Sequence, residues 1–212
     1  MSLLVETLTV KRAGRTIVRD CSFSCAPGQA VMLRGPNGAG KSTLLRAIAG
    51  FLPCTGTVSL NGHSLAQDKD EVQAQLAYAG HLDAIKPALS VGENLELWAD
   101  VFGSDRFNEV LGRFDLSAIA MRPAGACSAG QRRRLGLARL ALVDRALWLM
   151  DEPTVSLDQE NVARIEAEVA RHLDEGGMAV IATHLPLDVP HHVLELQPVA
   201  PEVDAALLDG VF

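Results

Sequence analysis

An α/β domain with a mostly parallel core sheet, β-strands gathered at its N-terminus and a helical lobe inserted between core strands is what this 212-residue sequence predicts. Three observations carry that expectation. Short apolar runs alternate with helix-like stretches, which is how strands covered on both faces read. A glycine-rich segment joins one of those runs to a helix. Between about 86 and 143 strand signals vanish and helical periods replace them.

Taken in order, strands are expected over 3–10, 21–25 and 30–34, the third feeding the glycine-rich segment. A helix over 42–49 follows, with Gly50 placed to end it. Another strand over 57–60 closes on Asn61-Gly62, a turn dipeptide. Helical periods then cover 91–101, 106–114 and 128–143. Strands return over 146–150 and 178–183, separated by a helix over 159–174 that carries Val162, Ile165, Val169 and Leu173 on one stripe. Gly176-Gly177 follow that helix. A chain of this length supports one functional unit rather than two. We expect a single domain over 1–212, with its core over about 1–85 and 144–212 and the lobe over about 86–143.

Composition excludes several function classes. A formal net charge of −7 argues against a general nucleic-acid binder, and no nucleic-acid partner is expected. Glu6 interrupts the N-terminal apolar residues, so no secretory segment is expected. No apolar run approaches the roughly 20 residues that span a bilayer. Cys21, Cys25, Cys54 and Cys127 form no C-x-x-C pair and no zinc spacing, which suits reduced structural thiols of a protein folded in the cytoplasm.

Gly35-Pro36-Asn37-Gly38-Ala39-Gly40-Lys41-Ser42 matches G-x-x-x-x-G-K-[ST] between a strand and a helix. Glycines there turn successive N–H groups toward one point, and the helix start adds partial positive charge. Lys41 is placed for the β- and γ-phosphates and Ser42 for Mg²⁺. A chance glycine turn is the competing reading, and the flanking strand and helix disfavour it. The apolar strand over 146–150 runs into Asp151 and Glu152, and a carboxylate at a buried strand end calls for a cation or donors. Asp151 fits the magnesium carboxylate and Glu152 the base facing an attacking water. His184 ends the last core strand, 33 residues after Asp151, and is a candidate γ-phosphate sensor, since parallel strands share one C-terminal edge. His191-His192 has no third ligand at a useful spacing and reads as a surface pair.

Arg132, Arg133 and Arg134 resemble a nucleic-acid grip at first. On a helix they splay over roughly 200°, so they cannot track one phosphate backbone and read as scattered contacts on a packed helix. Ser128-Ala129-Gly130-Gln131, small residues ahead of that helix, can instead offer free N–H groups to an anion. A second anion site some 90 residues from the first (128 against 35) is redundant in one subunit unless it serves the nucleotide of another.

Together GPNGAGKST at 35–43, SAGQ at 128–131, LWLMDEP at 147–153, SLD at 156–158 and TH at 183–184 resemble the ordered motif set of ABC-type ATPase domains, across nearly the whole chain. The resemblance implies a P-loop NTPase fold and places ATP on the loop that Thr43 ends. It implies that Ser128 and Gly130 contact the γ-phosphate held by a second copy, and that hydrolysis occurs between paired subunits. Asp158 would belong to the dimer-contacting loop, and it suits a plain helix N-cap as well. Within that superfamily Ala129 in place of the usual second glycine, Gly80-His81 with Ile85-Lys86, Glu93-Asn94-Leu95 and Thr183-His184-Leu185-Pro186-Leu187 resemble the haem exporter ATPase family of cytochrome c maturation. That implies docking beneath an integral membrane transporter subunit, on the cytoplasmic face of a bacterial inner membrane.

Three positions depart from the superfamily pattern. Cys127 stands where leucine usually precedes the signature serine, a change of packing rather than of phosphate contact. The loop entering the lobe lacks its usual glutamine and offers His81 or Leu82. The first loop lacks an adenine-stacking aromatic, and Arg12 can stack on the base instead. The alternatives left open are a soluble ABC ATPase of the iron–sulfur assembly type, another small ABC exporter and a nucleotide-gated module without turnover, against which Glu152 speaks.

Overall fold

The computed structural model of the chain describes residues 2–81, 84–185 and 187–200. Leu82, Pro186 and the C-terminal segment from 201 lie outside the described residues. Two long strands open the chain, β1 (Leu3–Arg12) and β2 (Arg15–Cys25), paired antiparallel. β2 starts well before the expected position, because the Ala13-Gly14 turn folds Arg15–Val18 straight back onto β1. β3 (Ala30–Arg34) leads into α1 (Lys41–Ile48), and β4 (Thr55–Leu60) and the short β5 (His63–Ser64) complete a four-stranded sheet in the order β2-β1-β4-β5.

Then come α2 (Lys69–Ala74) and β6 (Leu76–Ala79), neither expected from sequence. The segment between β6 and the next core strand is helical: α3 (Val91–Phe102), α4 (Phe107–Arg113) and α5 (Ala129–Ala138). α5 is shorter than the helical period over 128–143 suggests, since Arg139–Leu142 tighten into a 3₁₀ turn. β7 (Leu147–Asp151), α6 (Gln159–Asp174), β8 (Met178–Ala182) and β9 (His191–Glu195) finish the described chain. The expected surface pair His191-His192 begins β9; both side chains are exposed while the backbone pairs with β3.

The second sheet is parallel throughout, in the order β6-β7-β8-β3-β9. Its central strands are buried on both faces, as their unbroken apolar runs require. Ala30 and Met32, Trp148 and Met150, Ala179 and Ile181 face the helical segment and α6. Val31 and Leu33, Leu147 and Leu149, Val180 and Ala182 face α1 and the antiparallel sheet. Helix α1 is thereby held between the two sheets, and the C-terminal ends of β7, β8 and β3 lie side by side beneath its N-terminus. All four cysteines are free; burial pushes the Cys25 thiol up to about 11, which leaves it protonated and inert.

Candidate active site

The loop from β3 to α1 makes a close turn that only glycine accommodates. Gly40 caps α1 in the left-handed region (φ 99°), and a Cβ there would lie 2.9 Å from the Val18 side chain. Gly35 (φ 137°) meets the Leu196 carbonyl oxygen still more closely. No side chain caps α1, so its first N–H groups stay turned into the loop. Lys41 is buried, and its ammonium donates to the carbonyls of Gly35 (2.7 Å) and Pro36 (3.4 Å) inside the cradle.

The ends of β7 and β8 and the first turn of α1 bring the remaining groups to Lys41. The Ser42 hydroxyl donates to Asp151 Oδ1 at 3.0 Å, so the first turn of α1 and the end of β7 share an oxygen cluster. Asp151 is 3% exposed. His184, just past β8, stands 3.2 Å from Glu152 Oε1 and 3.5 Å from Lys41 Nζ. Glu152 takes a left-handed backbone (φ 50°) as β7 ends, and its N–H donates to the Ala182 carbonyl at 2.7 Å. An open cavity of about 380 Å³ is lined by Arg12, Ile17, residues 36–43, Asp151 and Glu152. The structure thus gathers Lys41, Ser42, Asp151, Glu152 and His184, and places Arg12 on the same cavity.

His81 is exposed, one residue beyond Gly80 at the end of β6, and is not among the described residues lining that cavity. Ser128, Ala129 and Gly130 do not line it either. Ser128 caps α5: its hydroxyl accepts from the Gln131 N–H (3.2 Å), while the Gln131 side-chain oxygen accepts from the Ser128 N–H (2.9 Å). Ala129 is exposed, so its methyl group costs nothing, whereas a Cβ at Gly130 would sit 2.7 Å from the Ser156 carbonyl. The helix start therefore packs against the loop that leads to Asp158. Asp158 caps α6, accepting from the Asn161 N–H at 2.9 Å, and that bond holds its carboxyl below the usual range. Cys127 is buried against the Pro123 carbonyl, a packing role as expected.

Sequence reasoning missed two features here. Ile17 lines the cavity, although its strand was not anticipated. The arginines of α5 are clamps rather than scattered contacts: Arg133 and Arg134 are 5% and 6% exposed, and each guanidinium holds backbone carbonyls. Arg139 similarly donates to the Tyr78 carbonyl at 2.6 Å.

The chain matches the family model described as ABC transporter over residues 18–155. It is 47% identical to the "Cytochrome c biogenesis ATP-binding export protein CcmA" of Ruegeria pomeroyi, covering 93% of this chain and 92% of that protein. The protein of the same name from Roseobacter denitrificans is 44% identical over the whole of both chains. This chain belongs to that family of ABC transporter ATP-binding proteins. Its fold agrees: a solved ATP-binding subunit of an ABC transporter superposes with a TM-score of 0.82 at 23% identity, covering 99% of this chain and 94% of that one. A putative ABC transporter ATP-binding protein from Pyrococcus furiosus gives 0.78 at 22% identity, with 92% and 98% covered. As a family member the chain binds a nucleotide and hydrolyses ATP as a transporter subunit. Of the readings the sequence left open, the exporter subunit is the one its relatives carry in their name.

Proposed function

We propose that this protein hydrolyses ATP at the β7, β8 and β3 edge, with Glu152 as base, and couples that step to the export of haem or handling of a haem-chaperone complex in c-type cytochrome biogenesis. The observation carrying the chemistry is the convergence of Ser42, Asp151, Glu152 and His184 on the Lys41 loop. Mg²⁺ fits this cluster: a hydroxyl and a carboxylate 3.0 Å apart are hard oxygen donors. Ser42 and Asp151 are the residues that would hold the ion. Bound there, the ion would neutralise charge on the β- and γ-phosphates. Lys41 and the α1 N–H groups bind the phosphates, Arg12 meets the base, and Glu152 takes the proton of the attacking water. His184 beside Glu152 senses the γ-phosphate.

Ser128, Ala129, Gly130 and Gln131 serve the nucleotide of a second copy, because they lie off the cavity of their own chain. The capping box supports this. Used as an acceptor by Gln131, the Ser128 hydroxyl keeps its proton free to donate to a phosphate. Asp158 then sits in the contact between copies. The single unit 1–212 works as a core and a helical lobe, over about 1–85 with 144–212 and about 86–143. No described helix is long and apolar enough to cross a membrane. The relatives' printed name, an ATP-binding export protein, supports a membrane transporter subunit as partner, which the protein binds on the cytoplasmic face of the inner membrane. Phe51, exposed and edge-on to Tyr78, lines with Phe102 an open cavity of about 430 Å³ suited to such a partner.

Glu152→Gln tests the base. Turnover is expected to fall by about 10² or more while ATP stays bound to a dimer, as removal of a general base predicts. ATP hydrolysis at the parental rate removes Glu152 from that role.

A further inference from the structure

Helix α5 presents Ser128 at its start, and Arg133 lies five residues further along, turned into the core. Among the described residues its guanidinium reaches the carbonyls of Gly80 at 2.9 Å, Asp151 at 2.7 Å and Glu152 at 3.0 Å. Gly80 follows β6 and Asp151 closes β7, adjacent strands in which Ala79 stands opposite Met150. One planar fork therefore caps two strand ends where the ladder stops and buried carbonyls need donors. The third carbonyl belongs to Glu152, whose backbone is left-handed and whose N–H is already held by Ala182. A non-glycine residue in that region persists only when its surroundings fix it. Both polar backbone groups of Glu152 are thus held, the N–H by β8 and the carbonyl by Arg133 of α5 together with the Val155 N–H at 3.3 Å, and its carboxylate is set beside His184.

Arg134 shows what a structural clamp looks like. It is buried to the same degree and holds the carbonyls of Phe114 (3.0 Å) and Asp115 (2.9 Å), the latter also left-handed at φ 51°. Its targets follow α4, inside the helical segment and away from the β7 edge. The two neighbours do the same work on different regions, and only one of them touches Glu152.

We propose that Arg133 is a positioning residue for hydrolysis: it holds the Glu152 backbone in its left-handed turn and ties it to α5, so that the base is set by the seating of the helix that carries Ser128. The inference rests on Glu152 being the base. A lysine at 133 keeps the charge but not the fork, and cannot span three carbonyls with the same geometry.

Steady-state ATP hydrolysis by the full-length protein tests it, using Arg133→Met, Arg134→Met, Glu152→Gln and the Arg133→Met/Glu152→Gln pair. Arg133→Met is expected to lower kcat about tenfold or more with KM for ATP within about twofold, as a misplaced base should. Arg134→Met is expected to lower Tm but keep kcat within about twofold, and the double variant to be no slower than Glu152→Gln alone. A smaller kcat loss in Arg133→Met, an equal loss in Arg134→Met, or losses that multiply in the double variant overturn the proposal. Parental turnover in Glu152→Gln overturns the base reading instead. Should Arg133→Met not fold, Arg133→Lys replaces it: a kcat loss of about threefold or more is expected, and less than that overturns the inference.

Discussion

Two helix starts in this molecule carry the residues that would meet phosphate, and they are finished differently. α1 begins on Gly40 with no side-chain cap, so its N–H groups remain for a ligand inside the same chain. α5 begins on Ser128 inside a complete capping box, with an exposed face and no place on the Lys41 cavity. A third start sharpens the contrast: α6 is capped by Asp158, whose negative charge already occupies the position an anion would take. The glycine start of α1 leaves its N–H groups open to an anion, whereas the carboxylate at the start of α6 takes that place itself. The hydroxyl-capped start can do both, because serine accepts from the helix while donating outward.

Breaking either phosphate-facing start should have the largest effect, but on different quantities. Lys41→Ala is expected to lose ATP binding by the isolated subunit, measured by equilibrium titration. Ser128→Arg is expected to abolish turnover, a loss of about 10² or more, with ATP binding by one subunit within about twofold. Loss of binding in Ser128→Arg would erase the distinction between the two starts.

A finer difference lies within the α5 turn. Gly130→Ala drives a methyl group onto the Ser156 carbonyl and should cost about 1–3 kcal/mol in chemical denaturation. Ala129→Gly, at an exposed site, should leave both stability and turnover near parental values. Equal effects at the two positions would mean that the turn does not pack as described.

The smallest expected effect concerns α6. The Asp158 carboxyl titrates below its usual 3.8 in the folded chain, because the Asn161 N–H bonds its charged form. Its contribution to stability is therefore present above pH 3.8 and is lost as pH falls through the lower folded value. Asp158→Asn keeps an acceptor without the charge, so its stability should lose less than the parent's over that acid range. An identical pH profile would remove the charge from the cap.

Much of the α1 site was legible because its chemistry is local in sequence: a glycine loop between a strand and a helix, and acids at the end of a buried run. β3, β7 and β8 were legible for the same reason, since burial on both faces leaves continuous apolar residues. β9 was not, because His191–Glu195 is an edge strand with exposed side chains whose order comes from backbone pairing with β3. β6 is only four residues long and half-buried at Ala77 and Tyr78, too brief for a period to show. Arg133 read as one of several scattered contacts, and its clamp on the β7 end was not legible, because helix geometry separates it from its neighbours without saying what it faces. The available signal was its place one turn before Leu137, on the buried side of α5.

The central claim is that the two phosphate-facing starts belong to one site built from two copies. Mixing or co-expressing Lys41→Ala and Ser128→Arg subunits tests it most directly, read as ATP hydrolysis. In a mixed dimer the intact loop of one copy would face the intact Ser128 of the other, so turnover should rise above that of either variant alone. A mixture no more active than its separate components, with mixed dimers shown to form, would contradict the account.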